Sequence, residues 1–366
     1  MASDVDALHA ELSQGYGFRV PRALALAIAA SQGRDLSHAF WLYWLYDRDR
    51  PWAQWRNIDP GYVGLVPDLF IVASPGTDGI QYGFVLHAPE LDVEPLPIFE
   101  FDPVYATVSF FAHDLGELLL RGAAGAASYR AECGDSYDME TYGSVATVLG
   151  LPPLPPRSWS DKPMSYRPPV PPGWRYVPTE DTIGVLAPEA AFGGRDVDID
   201  GFRARYCLGS EADVEVRRRG EDPLEGADAM AASLLEDCRS VLAAGFPGTA
   251  LVGVRRLSRA LDDIGGVSEA PNAAVFDLWS VVFNALERPV LADAARRIAD
   301  DYAARAHASS RWIAACETVN RYPRDKRRRV DELAGPPPAN LDDAYKLRFA
   351  DAVDQEQRES GETTPH

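Results

Sequence analysis

Nine prolines fall within residues 151–173, LPPLPPRSWSDKPMSYRPPVPPG. Proline fixes φ and carries no backbone N–H, so so dense a run favours an extended polyproline segment and excludes both helix and central strand. The segment reads as a linker, or as a strap laid across a surface. It separates residues 1–150 from residues 174–333, and a polar tail at 334–366 follows, with Pro336-Pro337-Pro338 near its start. A chain of 366 residues has room for two domains of ordinary size. The tail reads as poorly ordered or loosely docked.

Before the proline run, helical and strand patterns alternate. Ser3 and Asp6 open a helix to about Gln14, and Val20-Pro21 opens a second that Gly33 closes. The strand candidates are Leu69–Ala73, Ile80–Leu86 and Pro97–Phe101, with Asp78-Gly79 as the hairpin-turn signal between the first two. Val108–Leu120 reads as a helix with Leu115, Leu118 and Leu119 on one face. After the run, Trp174 to about Arg219 is strand-like. Gly226 to about Leu333 is alanine-rich and fits three or four packed helices, with breaks at Gly245–Gly248, Gly265-Gly266 and Pro289. The fold class expected is α+β, a small mainly antiparallel sheet flanked by helices and followed by a mostly helical carboxy-terminal domain.

The net charge of −19 is unevenly spread. Residues 1–150 hold 20 Asp and Glu against 8 Arg and no Lys, a net of −12, which leaves −7 for the remaining 216 residues. Such a field repels nucleic acid and anionic membranes and favours a basic partner; solubility alone is the plainer use of it. No apolar run reaches the roughly 18 residues of a membrane helix. The start, MASDVDALHAEL, has neither the basic nor the apolar stretch of a secretory leader. Cys133, Cys207, Cys238 and Cys316 form no C-x-x-C or C-x-x-H pair, so each reads as a small buried apolar residue in a reducing cytoplasm.

The patterns that could carry chemistry fail on spacing. Asp196-Val-Asp198-Ile-Asp200-Gly201 matches half of a calcium loop, but Cys207 stands where the bidentate Glu belongs. Alternation with Val197 and Ile199 makes a half-exposed strand the simpler reading. Ser74, Asp78 and His87 could be imagined as a triad, yet no nucleophile elbow surrounds Ser74. His113, Asp114 and Glu117 read as the solvated face of a helix. Gly61-x-x-Gly64 and Gly193-Gly194 lack the Lys-Ser/Thr of a phosphate loop. The basic run Arg324–Arg329 reads as pairing within the acidic chain. No metal and no cofactor is expected.

Two tracts have the composition of a binding surface. Glu90, Asp92, Glu94, Glu100 and Asp102 place five carboxylates within thirteen residues. Trp41, Tyr43, Trp44, Tyr46, Trp52 and Trp55 are residue types that anchor interfaces, although core packing is the plainer use of them.

The order of VPRALALAIAASQG, LFIVASPGTDGIQYGFVL, PLPIFEFDP and VSFFAHDLGELLLRG along the chain resembles the SUKH superfamily, the Smi/Knr type, over about 120 residues. The resemblance implies an α+β domain and a binding role: bacterial immunity proteins that neutralise toxins, or eukaryotic regulatory adaptors. The expectation is a cytoplasmic, non-catalytic protein that binds a protein partner, a basic toxin above all. Its site would be Glu90, Asp92, Glu94, Glu100, Asp102, Trp41, Trp44 and Trp52. A regulatory scaffold acting through the helical carboxy-terminal domain is the alternative. A hydrolase or transferase would need a pocket lined by convergent titratable groups.

Overall fold

The computed structural model describes residues 2–45, 66–76, 79–91, 95–103, 107–154, 166–206, 226–264, 269–321, 327–335 and 343–360. The chain forms two compact units, one of residues 1–267 with 271–299, the other of residues 268–270 with 300–366.

The first unit opens with α1 (Ala2–Tyr16), whose Val5, Leu8, Leu12 and Tyr16 recur at helical spacing and are all buried. Pro21 precedes α2 (Arg22–Ala30), and Gly33 takes φ +72 in the turn that follows. A single turn, α3 (Ser37–Phe40), leads to β1 (Tyr43–Trp44). Then come β2 (Leu69–Ser74), β3 (Gln81–Val85), β4 (Ile98–Asp102) and β5 (Thr107–Ala112). All neighbours are antiparallel, in the order β1-β2-β3-β4-β5. The fold is therefore α+β, and the three strands expected from alternation stand within a residue or two of their expected bounds. The Asp78 of the turn signal lies outside the described residues.

The segment from Val108 is where the structure departs from the helix expected of it. Residues 107–112 pair with β4, Phe99 opposite Phe110 and Phe101 opposite Val108. TVSFFA is β-branched and aromatic, and a strand partner satisfies it better than a helix would. The helix, α4 (Leu115–Cys133), begins only after Asp114, whose extended backbone and carboxylate cap it. Asp114 accepts from the Glu117 N–H at 2.8 Å, and Glu117 accepts from the His113 N–H at 2.9 Å. His113, Asp114 and Glu117 thus form a reciprocal cap rather than a helix face. Burial would raise the Glu117 carboxyl, but hydrogen bonds from His113 and Arg121 outweigh it and hold it below the usual range. Next comes α5 (Met139–Leu149), capped by Asp138.

The described end of the proline segment lies on this sheet: Tyr166 stacks on Phe110 (5.0 Å) and on His87 (5.6 Å). A hairpin of β6 (Trp174–Val177) and β7 (Val185–Pro188) follows. Next is α6 (Ile199–Tyr206), and Asp198 accepts from the Gly201 N–H in its first turn. Val197 and Ile199 are buried and the three aspartates exposed, as alternation predicts, but the element is a helix start and not a strand. The helices α7 (Ala227–Ala243), α8 (Pro247–Ile264), α9 (Glu269–Ala285), α10 (Pro289–Arg321) and α11 (Arg327–Ala334) occupy the alanine-rich region expected to hold three or four. Of these, α8 packs against α6, α7 and β7.

In the second unit, α11 pairs with α12 (Asp343–Ser360). Residues 343–360, expected to be loosely ordered, are helical because Tyr345, Phe349, Ala352 and Val353 make one apolar stripe that buries itself against Val330 and Ala334. Arg329 pairs with Glu356 and Glu359, the intramolecular use expected of the basic run. Of the cysteines, Cys238 is buried and Cys133, expected to be buried, is exposed at the end of α4.

Candidate binding surface

Small residues in α4 shape the surface beside β1. A Cβ on Gly122 would lie 2.1 Å from the Phe40 carbonyl oxygen, so only glycine lets α3 come this close. The chain then turns sharply: Trp41 ends α3 in the left-handed region at φ 50, a conformation that a bulky residue rarely adopts. Its indole lies over Gly125 and stacks on Tyr129 with ring centroids 5.3 Å apart. The stacked pair is not core, since Trp41 is 40% and Tyr129 49% exposed. Tyr43, on the edge strand β1 and 47% exposed, lies over Gly76 of the β2–β3 connection. Behind them the backbone is tied down: the Tyr137 hydroxyl donates to the Ala39 carbonyl at 2.7 Å, and Phe40 packs on Tyr142.

The other expected site residues are dispersed. Trp44 is half-buried and donates its indole N–H to Ser31 Oγ at 3.0 Å, a packing role. Trp52, Asp92 and Glu94 lie outside the described residues, as do Tyr46 and Trp55. Glu90 is the counter-ion of Arg288, a buried residue 198 positions away, which reaches both carboxylate oxygens at 2.9 and 3.2 Å and also donates to the Leu186 carbonyl. Glu100 sits opposite Tyr82 across β3 and β4 and is hydrogen-bonded by it. Burial raises its carboxyl, Tyr82 pulls it back, and the charge of Asp102, the next inner-strand carboxylate, raises it further. Ser74 donates to the Ile80 carbonyl at 2.8 Å and accepts from the Gly76 N–H, so its hydroxyl is held in a turn.

One polar centre was not foreseen. Arg255, on α8, donates to Asp181 at 2.6 Å and to Asp68 at the start of β2, and its guanidinium lies over Trp279 of α9. Arg255 is 1% exposed. Burial, and repulsion from Arg288, bring it down to about 9, still protonated at neutral pH. Burial pushes Asp181 up to about 6 against the pull of Thr179, Gly184 and Ile183, which all donate to it. The signal was present in the sequence: Arg255 falls among Leu251, Val254, Ser258 and Leu261, on the apolar stripe of its own helix. Its two partners, 187 and 74 positions away, carried no local signal.

No family model matches the sequence, and no curated protein matches it either. Among the described residues, no helix is long and apolar enough to cross a membrane.

Proposed function

We propose that the chain is a non-catalytic protein-binding molecule that acts as SUKH-type immunity proteins do, by seating on a basic toxin and occluding it. The observation that carries the reading is the exposed stack of Trp41 on Tyr129, beside Tyr43 on the edge strand of the described sheet. Tryptophan and tyrosine are the side chains most often found at the energetic centre of interfaces. A rigid stacked pair adds area at little cost in side-chain entropy. Glu132, one turn beyond Tyr129, is also exposed, and the lysine-free acidic region around it would steer a basic partner inward. Glu90 and Glu100 play no direct part, because Arg288 and Tyr82 hold them. In this reading the partner's active site is blocked sterically, and no turnover is required.

The test is protection. The chain should rescue growth when co-expressed with at least one of a panel of basic nuclease toxin domains. Trp41→Ala with Tyr129→Ala should weaken binding of that domain by at least about 30-fold, since one truncation at an interface centre alone costs about 2 kcal/mol. Rescue by no member of the panel, or rescue that the double variant leaves intact, would overturn the proposal.

A further inference from the structure

A recess in the first unit lies at the β3 end of the sheet, partly open to solvent, with a cavity volume of about 70 Å³. Its described walls come from five separate stretches: the loop before α2 (Phe18), the end of β3 (Leu86, His87), the approach to β4 (Leu96), the strap (Tyr166, with the prolines beside it) and β7 (Leu186). Among the described lining residues five are prolines, and Arg19, which is exposed, is the only charged side chain. The described walls are therefore stiff and largely apolar, the character of a site for a small apolar ring.

His87 departs from that pattern. It is 9% exposed, and neither Nδ1 nor Nε2 has a hydrogen-bond partner. Its ring is held by Tyr166, nearly parallel at 5.6 Å, and by Tyr176, edge-on at 6.2 Å. Burial, with the nearby charge of Arg288, keeps the imidazole neutral by pushing its pKa down to about 3. A neutral imidazole offers one donor and one acceptor. Leaving both unmet in an apolar recess is costly unless something fills them.

We propose that this recess binds a small, uncharged aromatic molecule carrying one polar group, which hydrogen-bonds to His87 while its ring packs between Phe18, Tyr166 and the proline rings. A charged head buried beside His87 would be desolvated without a buried counter-ion, because Arg19, the charged residue among the described lining, is exposed to solvent. A purely aliphatic or polar-free ligand would leave His87 as it is. This inference stands apart from the protein-binding reading and uses none of its residues.

The probes are p-cresol and toluene, which share a ring and differ by one hydroxyl. In calorimetric titration of the full chain at pH 7, p-cresol should saturate with a dissociation constant below about 1 mM. Toluene should bind about tenfold more weakly, the worth of one hydrogen bond to a buried group. His87→Phe should erase that difference by weakening p-cresol alone, and Leu96→Trp, which fills the recess, should abolish both. Equal binding of the two probes to the unaltered chain overturns the role of His87 without needing any variant. No saturation by p-cresol, or binding that survives Leu96→Trp, overturns the site itself.

Discussion

Arg255 and His87 are both buried in the same compact unit, but two carboxylates grip Arg255, whereas neither nitrogen of His87 meets a partner. The guanidinium stays charged because Asp68 and Asp181 replace the water it has lost; the imidazole has no such replacement and survives only by remaining neutral. The difference lies in what each centre connects. Arg255 joins α8 to the start of β2 and to the loop before β7, so its two paired donors hold the sheet region to the helices, while its Nε has no partner. His87 stands at the end of one strand with apolar walls around it, and its hydrogen-bonding capacity is unmet. A polar centre whose charges are paired acts as a clamp. An unsaturated one in an apolar recess is suited to receiving a ligand.

The largest effect follows from breaking the clamp. Arg255→Ala strands two buried carboxylates, and removing one partner of a buried pair costs about 3–5 kcal/mol. Denaturant titration should therefore show the first unit close to unfolding, with a lowered midpoint. Asp181 is already displaced upward by burial, so it would be neutralised first, and part of the loss should return as the pH falls below about 6. A loss near 1 kcal/mol would mean that water reaches the site, and the contrast with His87 would then collapse.

The next effect tests the other side of the contrast. An ordinary histidine titrates near 6.5, whereas His87 in the folded chain titrates at about 3. Between those values the unfolded chain binds a proton that the native chain refuses, so this group's contribution is fully present above pH 6.5 and is lost as the pH falls. The expected slope is about 1.4 kcal/mol per pH unit, or about 2 kcal/mol between pH 6.5 and 5. Stability of the unaltered chain and of His87→Gln, measured across that interval, should diverge by this amount. Parallel curves would show that the imidazole is hydrated in the native state, and the recess would lose its unmet donor and acceptor.

Much of the frame behind this contrast was legible along the chain. The strands at 69–74, 81–85 and 98–102 carry β-branched and aromatic runs separated by turn residues, which is a local signal. TVSFFA failed because two adjacent phenylalanines blur the period of two, and the leucine-rich start of α4 drew the segment into its helical pattern. The tail failed for the opposite reason: its composition is polar, yet four apolar residues at helical spacing suffice once α11 covers them. At the candidate surface the aromatic tract marked Trp41, but its exposure comes from a left-handed turn and from Gly125 beneath the indole, neither of which aromatic density announces. Glu90 looked like a surface carboxylate because its partner, Arg288, lies 198 residues away. Long-range pairing of charge is the part that a local reading cannot see.

The smallest effect asks whether both carboxylates of the clamp are needed. Asp68, Asp181 and Arg255 together carry a net −1, one negative charge more than the guanidinium neutralises. Asp181 accepts from Thr179, Ile183 and Gly184 besides Arg255, while Asp68 Oδ1 accepts from nothing. Asp68 is thus the less supported of the two. Asp68→Asn removes the excess charge, keeps an oxygen for Arg255, and leaves the guanidinium balanced by Asp181 alone. The expected cost is about 1 kcal/mol or less, read as a melting shift of about 2–4 °C. A loss as large as that of Arg255→Ala would show that Arg255 needs two negative partners to stay charged where it lies. The clamp would then be held by charge excess rather than by pairing, and its contrast with the neutral imidazole would be sharper still.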